Sequence, residues 1–191
     1  MSVFRFTTTG APDLTFINGL GQTTVSLGVL GTHGYAVAVQ PDGKVVSVGA
    51  TAAHTAYAIA RFTATGGLDG TFAGGGITSI AGHTSTQLNG VLIQPDGKIL
   101  AVGQDTTGGN NFISIVRLTT AGLPDPAVGT GSGLVNVHTL TNSTGMGVAL
   151  QANGKIIVGG FSDSGGNSSF TLARFNSADC SLDAETQCRR R

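Results

Sequence analysis

Charge is scarce in this 191-residue sequence, where ten Lys and Arg balance ten Asp and Glu and leave a net charge of zero. The only basic cluster is the closing Arg189-Arg190-Arg191, which reads as a solvated tail. Without a basic stripe or patch there is no electrostatic footprint for nucleic acid. Trp is absent and Tyr occurs twice, so any ring that stacks on a sugar would have to come from Phe. No apolar run approaches the roughly 20 residues of a membrane-spanning helix. The opening Met1-Ser2-Val3-Phe4-Arg5 enters repeat material directly, with neither the basic nor the apolar region of a secretory signal. There is no Gly-x-Ser-x-Gly elbow, no Cys-x-x-Cys and no phosphate loop, which removes the usual carriers of hydrolase, dithiol and nucleotide chemistry.

Glycine is abundant instead, with 31 residues, and it sits among Thr, Ser and regular clusters of Val, Ile, Leu and Ala. That is the composition of a Gly-rich folded β protein and not of a disordered chain. A pattern returns every 56 or 57 residues: Arg5-Phe6, Arg61-Phe62, Arg117-Leu118 and Arg174-Phe175. A second marker keeps step, Gln40-Pro41-Asp42-Gly43-Lys44, then Gln94-Pro95-Asp96-Gly97-Lys98, then Gln151-Ala152-Asn153-Gly154-Lys155. An internal period of that size marks a repeat architecture.

Within a unit the apolar runs have strand length and are bounded by turn residues. The second unit reads Gly90 to Gln94, Lys98 to Gly103 and Phe112 to Leu118, preceded by Gly76 to Ile80. Four strands per unit is the content of a propeller blade. Pro-Asp-Gly predicts a tight hairpin between the first two, because Pro presets one turn angle, Asp bonds backbone ahead of it and Gly accepts a positive φ. The remaining connections, such as residues 104–111 and 162–167, read as longer polar loops. Strands such as Tyr35 to Val39 are apolar on both faces with small residues interleaved, as expected for sheets stacked closely on both sides.

Arg61-Phe62, Gly66-Gly67, Leu68-Asp69, Phe72 and the run Gly74 to Gly76, in register with Gln-Pro-Asp-Gly-Lys, resemble the delta-60 repeat family of bacterial propeller-like proteins. The resemblance covers nearly the whole chain. It implies a propeller and a surface or secreted context, and no particular catalytic residue. The motif decays along the chain, with Val128 where Phe16 and Phe72 stand in earlier units and Thr186 in the last. Cys180 takes the turn position of Gly10, Gly66 and Gly122, with one residue inserted before it, which marks an atypical end.

A group needed once in an active site does not recur in every unit. Arg5, Arg61, Arg117 and Arg174, with Lys44, Lys98 and Lys155, therefore read as scaffold, as do Asp13, Asp69, Asp125, Asp183, Asp42 and Asp96. Each Arg is a candidate partner for a repeat Asp, since half-buried charges are normally paired. Asp105, Asp163, Asp179, Glu185 and the four histidines remain. His33, His54, His83 and His138 fall at different offsets from the Gln markers with no metal-ligand spacing and read as loop residues. Asp105 and Asp163 read as corresponding loop carboxylates and are weak calcium candidates, one per loop. Asn142-Ser143-Thr144 and Asn167-Ser168-Ser169 fit the glycosylation pattern.

The expected fold is all-β, a propeller-like array of about three four-stranded blades plus one extra strand, without substantial helix. Residues 1–178 form a single array, with units at about 5–60, 61–116 and 117–173 and a final strand to about 178. Residues 179–191 form an atypical tail. With the Pro-Asp-Gly hairpin joining the two inner strands, the chain opens on the last two strands of one blade, runs through two full blades and closes on three strands. Closed propellers need about four to eight blades, so open faces and edges require cover. The expected function is a non-catalytic, self-assembling structural or adhesive protein, ring or filament, at the cell surface or outside the cell, with no cofactor. The alternative is a module binding a glycan, a peptide or calcium through loops on one face. A Cys180–Cys188 disulfide is expected, since the even count and the eight-residue separation permit one and it would pin the tail.

Overall fold

The computed structural model describes residues 1–17, 19–25, 31–137, 142–164 and 166–183. Its strands form four antiparallel sheets. Blade I holds β1 (Ser2–Phe4) and β2 (Gln22–Thr24). Blade II holds β3 (Thr32–Val39), β4 (Val45–Thr51), β5 (Ala56–Phe62) and β6 (Ile77–Ala81) in that order. Blade III repeats it with β7 (Thr84–Ile93), β8 (Ile99–Thr107), β9 (Asn110–Leu118) and β10 (Leu134–Val137). Blade IV has β11 (Asn142–Leu150), β12 (Ile156–Ser164) and β13 (Asn167–Phe175). Two, four, four and three strands is the phase expected from placing the Pro-Asp-Gly hairpin between inner strands.

The hairpins follow from local chemistry. Between β3 and β4, Gly43 takes a φ of 80° and its N–H donates to the Gln40 carbonyl at 2.9 Å, while Asp42 Oδ1 accepts from Lys44 N at 3.2 Å. Asp96 and Asn153 make the same bond to Lys98 and Lys155, at 3.1 Å each. The expected long polar loops at 104–111 and 162–167 are hairpins as well. β8 and β9 are joined by Gly108 and Gly109 alone, with φ of 59° and 81°, and β12 and β13 by two residues. Positive φ at both central positions is what a two-residue turn of type I′ demands, and the polar residues counted as loop are paired across the sheet.

Blades II and III each bury residues on both faces. The leading face, toward the preceding blade, carries Val45, Ala60 and Phe62 in blade II and Ile99, Ala101, Val116 and Leu118 in blade III. The trailing face carries Val46, Val48, Tyr57 and Ile59 in blade II and Leu100, Val102, Ile113 and Ile115 in blade III. Adjacent residues on one strand thus enter different cores, the period-2 consequence of the pleat. Close approach is enforced at the seams. A Cβ on Gly66 would lie 2.8 Å from the Phe16 ring, and one on Gly122 would lie 2.5 Å from Phe72.

The repeat continues past residue 178. Isolated bridges join Phe6 to Pro12, Phe62 to Leu68, Leu118 to Pro124 and, in the fourth unit, Phe175 to Leu182. The inserted residue is absorbed where Cys180 adopts a φ of 57°, so the register holds to Asp183.

Candidate functional site

The repeated charges converge after the third strand of each blade. Arg Nε meets Asp Oδ2 at 2.8 Å for Arg5–Asp13, 2.8 Å for Arg61–Asp69, 2.7 Å for Arg117–Asp125 and 2.8 Å for Arg174–Asp183. The hairpin lysine of the same blade joins the carboxylate, with Lys44 3.4 Å from Asp69, Lys98 3.0 Å from Asp125 and Lys155 2.9 Å from Asp183. The other Asp oxygen caps the chain two residues on, as Thr71 N and Oγ1 donate to Asp69 Oδ1 at 3.1 and 2.7 Å. With the Thr71 hydroxyl first and the Arg61 guanidinium beside it, the Asp69 carboxyl is held down at about 2.

The guanidinium groups of Arg5, Arg61 and Arg117 also reach forward one unit. Nη1 donates to a main-chain carbonyl of the following motif, from Arg5 to Ala64 at 2.6 Å, from Arg61 to Thr120 at 2.6 Å, and from Arg117 to Ser177. In the first two units Nη2 donates to Thr15 and Thr71. The third unit has Ala127 there, and Arg117 Nη2 turns instead to the Ala178 carbonyl at 2.6 Å. Arg5 and Arg61 further lie over the Phe16 and Phe72 rings at 4.6 Å. One side chain thus closes its own motif and fixes the next blade. These clusters are fully engaged and structural in their chemistry.

One polar cluster occurs in a single unit. Asp105, with no exposed surface, accepts at Oδ1 from His83 N and Thr86 Oγ1, each at 2.9 Å. Its Oδ2 lies 2.6 Å from His83 Nδ1 and accepts from Asn136 Nδ2 at 2.9 Å. Beyond Asn136 the chain continues inward, with Ser114 Oγ donating to Asn136 Oδ1 at 2.7 Å and the Tyr57 hydroxyl donating to Ser114 Oγ at 2.6 Å. Burial alone would push the Asp105 carboxyl up, but the bonds from His83, Thr86 and Asn136 together outweigh it and hold it below its usual range. Tyr57, sealed between blades, is pushed strongly up by burial. His83 remains more than half exposed.

A protein-family model matches the chain three times, over residues 40–72, 94–127 and 151–185, together more than half of its length. The family is described as a domain of unknown function (DUF5122) beta-propeller. The chain belongs to this family. Each DUF5122 match opens on the Gln of a hairpin and brackets one Lys–Arg–Asp cluster, so the conserved unit of description and the physical joint coincide. A search of the curated proteins finds no match.

The DUF5122 array places the remaining sequence candidates apart. Asp105 lies on strand β8 opposite Phe112, five residues before Arg117, so its counterparts are Thr51 and Ser162. Asp163 is displaced by one residue to the other face and accepts from Ser168 Oγ. The two carboxylates therefore do not form corresponding loops, and both Asp105 oxygens are taken by protein donors. Among the described residues no three His, Cys, Asp or Glu group to hold a metal. Asp179 Oδ1 accepts from Ser181 N at 2.9 Å. His33 and His54 stack with centroids 5.5 Å apart, and Tyr35 continues the stack at 6.2 Å from His33. Asn142 and Asn167 begin strands, and Asn142 Oδ1 accepts from Asn111 N. Cys180 is a free thiol with no exposed surface, pushed up to about 11 by burial. Cys188, expected to pair with it, lies outside the described residues, as do His138, Glu185 and Thr186.

Both ends of the described array expose apolar surface. Tyr35, Val37 and Val39 of β3 line a groove of about 400 Å³ with Val3, Phe4 and Phe16. At the other end Phe161, Phe170 and Leu172 are exposed on blade IV. No helix among the described residues is long and apolar enough to cross a membrane.

Proposed function

We propose that this beta-propeller chain is a non-catalytic structural or adhesive protein of the delta-60 repeat type that assembles with copies of itself at the cell surface or outside the cell. One observation carries the reading. Third-strand positions that are sealed in blades II and III are open in blade IV, where Phe170 is 78 % exposed, although its counterparts Tyr57 and Ile113 have no exposed surface. Large apolar patches of this kind mark interaction surfaces. The repeated charges support a scaffold reading, because they pair with one another and Arg5, Arg61 and Arg117 also hold the following motif. Light scattering on the purified chain tests it: particles of several chains are expected at micromolar concentration, and a stable monomer removes the reading.

A second reading, a binding module, draws on the ring stack of half-buried His54 with exposed His33 and Tyr35, which offers a platform for a planar or sugar ligand. Calorimetry against a glycan panel separates the two, since saturable heat abolished by Tyr35→Ala favours the module.

A further inference from the structure

Inside the array every seam joins the same two pairs of third-strand residues. Tyr57 and Ile59 on the trailing face of β5 share a core with Val116 and Leu118 on the leading face of β9. Ile113 and Ile115 share the next core with Ala173 and Phe175. None of these eight residues is more than 2 % exposed. The pairing is set by position relative to the repeat arginine, with trailing residues four and two before it and leading residues immediately before and after it.

Counted in this way, the trailing pair of β13 is Phe170 and Leu172, exposed by 78 % and 49 %, and the leading pair of blade I is Phe4 and Phe6, exposed by 57 % and 59 %. Leading positions are otherwise Ala60, Val116 and Ala173, or Phe62, Leu118 and Phe175, all closed over by the preceding blade. The described residues thus present one uncovered trailing pair and one uncovered leading pair, and the internal seams show what each one fits.

We propose that Phe170 and Leu172 of one copy pack on Phe4 and Phe6 of a second copy, so that chains join head to tail by the operation that relates successive blades. This rests on the self-assembly reading and adds to it the surfaces and their polarity. The two faces differ, so the joint is heterologous, and repeating it gives a ring where the rotation closes and a filament where it does not. Four large apolar side chains leave water at each joint, the non-directional drive that closes the internal seams.

Two variants test the proposal, one with Phe170→Asp and Leu172→Asp, the other with Phe4→Asp and Phe6→Asp, each examined by sedimentation velocity at micromolar concentration. All four sites are exposed, and a cooperative melt near that of the parent confirms folding. Serine in place of aspartate repeats the test should either variant lose that melt. Each variant alone is expected to sediment as a single chain. Mixed in equal amounts they are expected to form a dimer and nothing larger, because each retains the face that the other lacks. Variants that assemble like the parent, or a mixture that stays monomeric when each variant alone is monomeric, overturn the head-to-tail joint. A parent that is itself monomeric removes the self-assembly reading, a distinct result.

Discussion

Val128 and Cys180 lie in one buried cluster at the seam between blades III and IV, in the places where Phe16 meets Gly66 and Phe72 meets Gly122 at the two seams before it. A Cβ on either glycine would enter the Phe ring. The smaller Val128 leaves room, and the Cys180 side chain occupies it at the cost of a left-handed backbone with φ of 57°.

The pair should therefore be coupled. Val128→Phe against an unchanged Cys180 is expected to overpack the seam and destabilise by about 1–3 kcal/mol. Cys180→Gly opens a void while relieving roughly 1 kcal/mol of backbone strain, so its net effect is small. The double variant restores the earlier Phe–Gly arrangement and should recover most of the loss, with a coupling energy of about 1–3 kcal/mol in urea denaturation. Simple additivity would show that the two side chains do not share a seam.

The arginines are equivalent in register but not in burial. Arg61 and Arg117 side chains are 6 % and 2 % exposed, whereas Arg5 is 35 % exposed. Removing one partner of a buried pair leaves the other charge stranded, so Arg61→Ala and Arg117→Ala should cost about 3–5 kcal/mol. Arg5→Ala should cost about 1 kcal/mol or less, the usual value of a solvated pair. Equal losses at all three sites in denaturant titrations would contradict the burial ranking.

Acid should loosen the array by a predictable route. Asp69, Asp105 and Asp125 all have carboxyls held below their ordinary range in the folded chain. Their contribution to stability is fully present above the unfolded carboxylate value near pH 4 and is lost as pH falls through the folded values, toward about 2 for Asp69. Stability measured by urea titration should fall below about pH 4, and Asp69→Asn should flatten that limb while lowering the plateau above it.

Asp105 should tolerate substitution poorly because, with no exposed surface, it accepts from four hydrogen-bond donors. Asp105→Asn places an amide among donors and is expected to cost several kcal/mol, in the range of about 3–5 for a broken buried charge network. His83→Ala, at the solvent edge, should cost about 1–2 kcal/mol through the hydrogen bond it removes. Thermal melts of the two variants give the order directly, and a larger loss for His83→Ala would invert the picture of where the cluster is anchored.

Cys180 should resist alkylation while the chain is folded, because burial both blocks access and suppresses the thiolate. Peptide mapping after a short iodoacetamide pulse should find it unmodified in buffer and fully modified in urea. Rapid labelling of the folded chain would show that the seam opens.

Much of the fold was legible because the signals were local and repeated. The Pro-Asp-Gly hairpin sets the strand phase, and the recurrence of Arg and Asp in every unit points to their pairing. What escaped was set by contacts between distant segments. The Gly- and Asn-rich stretch at 104–111 reads as loop by composition, yet a two-residue turn at Gly108-Gly109 folds its polar residues back into the sheet. Asp105 and His83 are 22 residues apart and meet only because β8 lies under the start of β7. Counting from the Gln markers would have exposed the site, since Asp105 stands where Thr51 and Ser162 do and is therefore the one carboxylate at that level. The continuation of the repeat past residue 178 is hidden in the sequence because the insertion before Cys180 disguises the bridge from Phe175 to Leu182.

The forward reach of Arg5, Arg61 and Arg117 gives the array a direction of dependence. A blade that loses its neighbour on the C-terminal side loses the carbonyl that its arginine grips, whereas loss of the neighbour on the other side leaves that arginine's own motif intact. Stability in such a chain propagates through nearest neighbours, and here the coupling runs preferentially one way along it. Forced extension from the two termini should consequently rupture the units in a fixed order rather than at random.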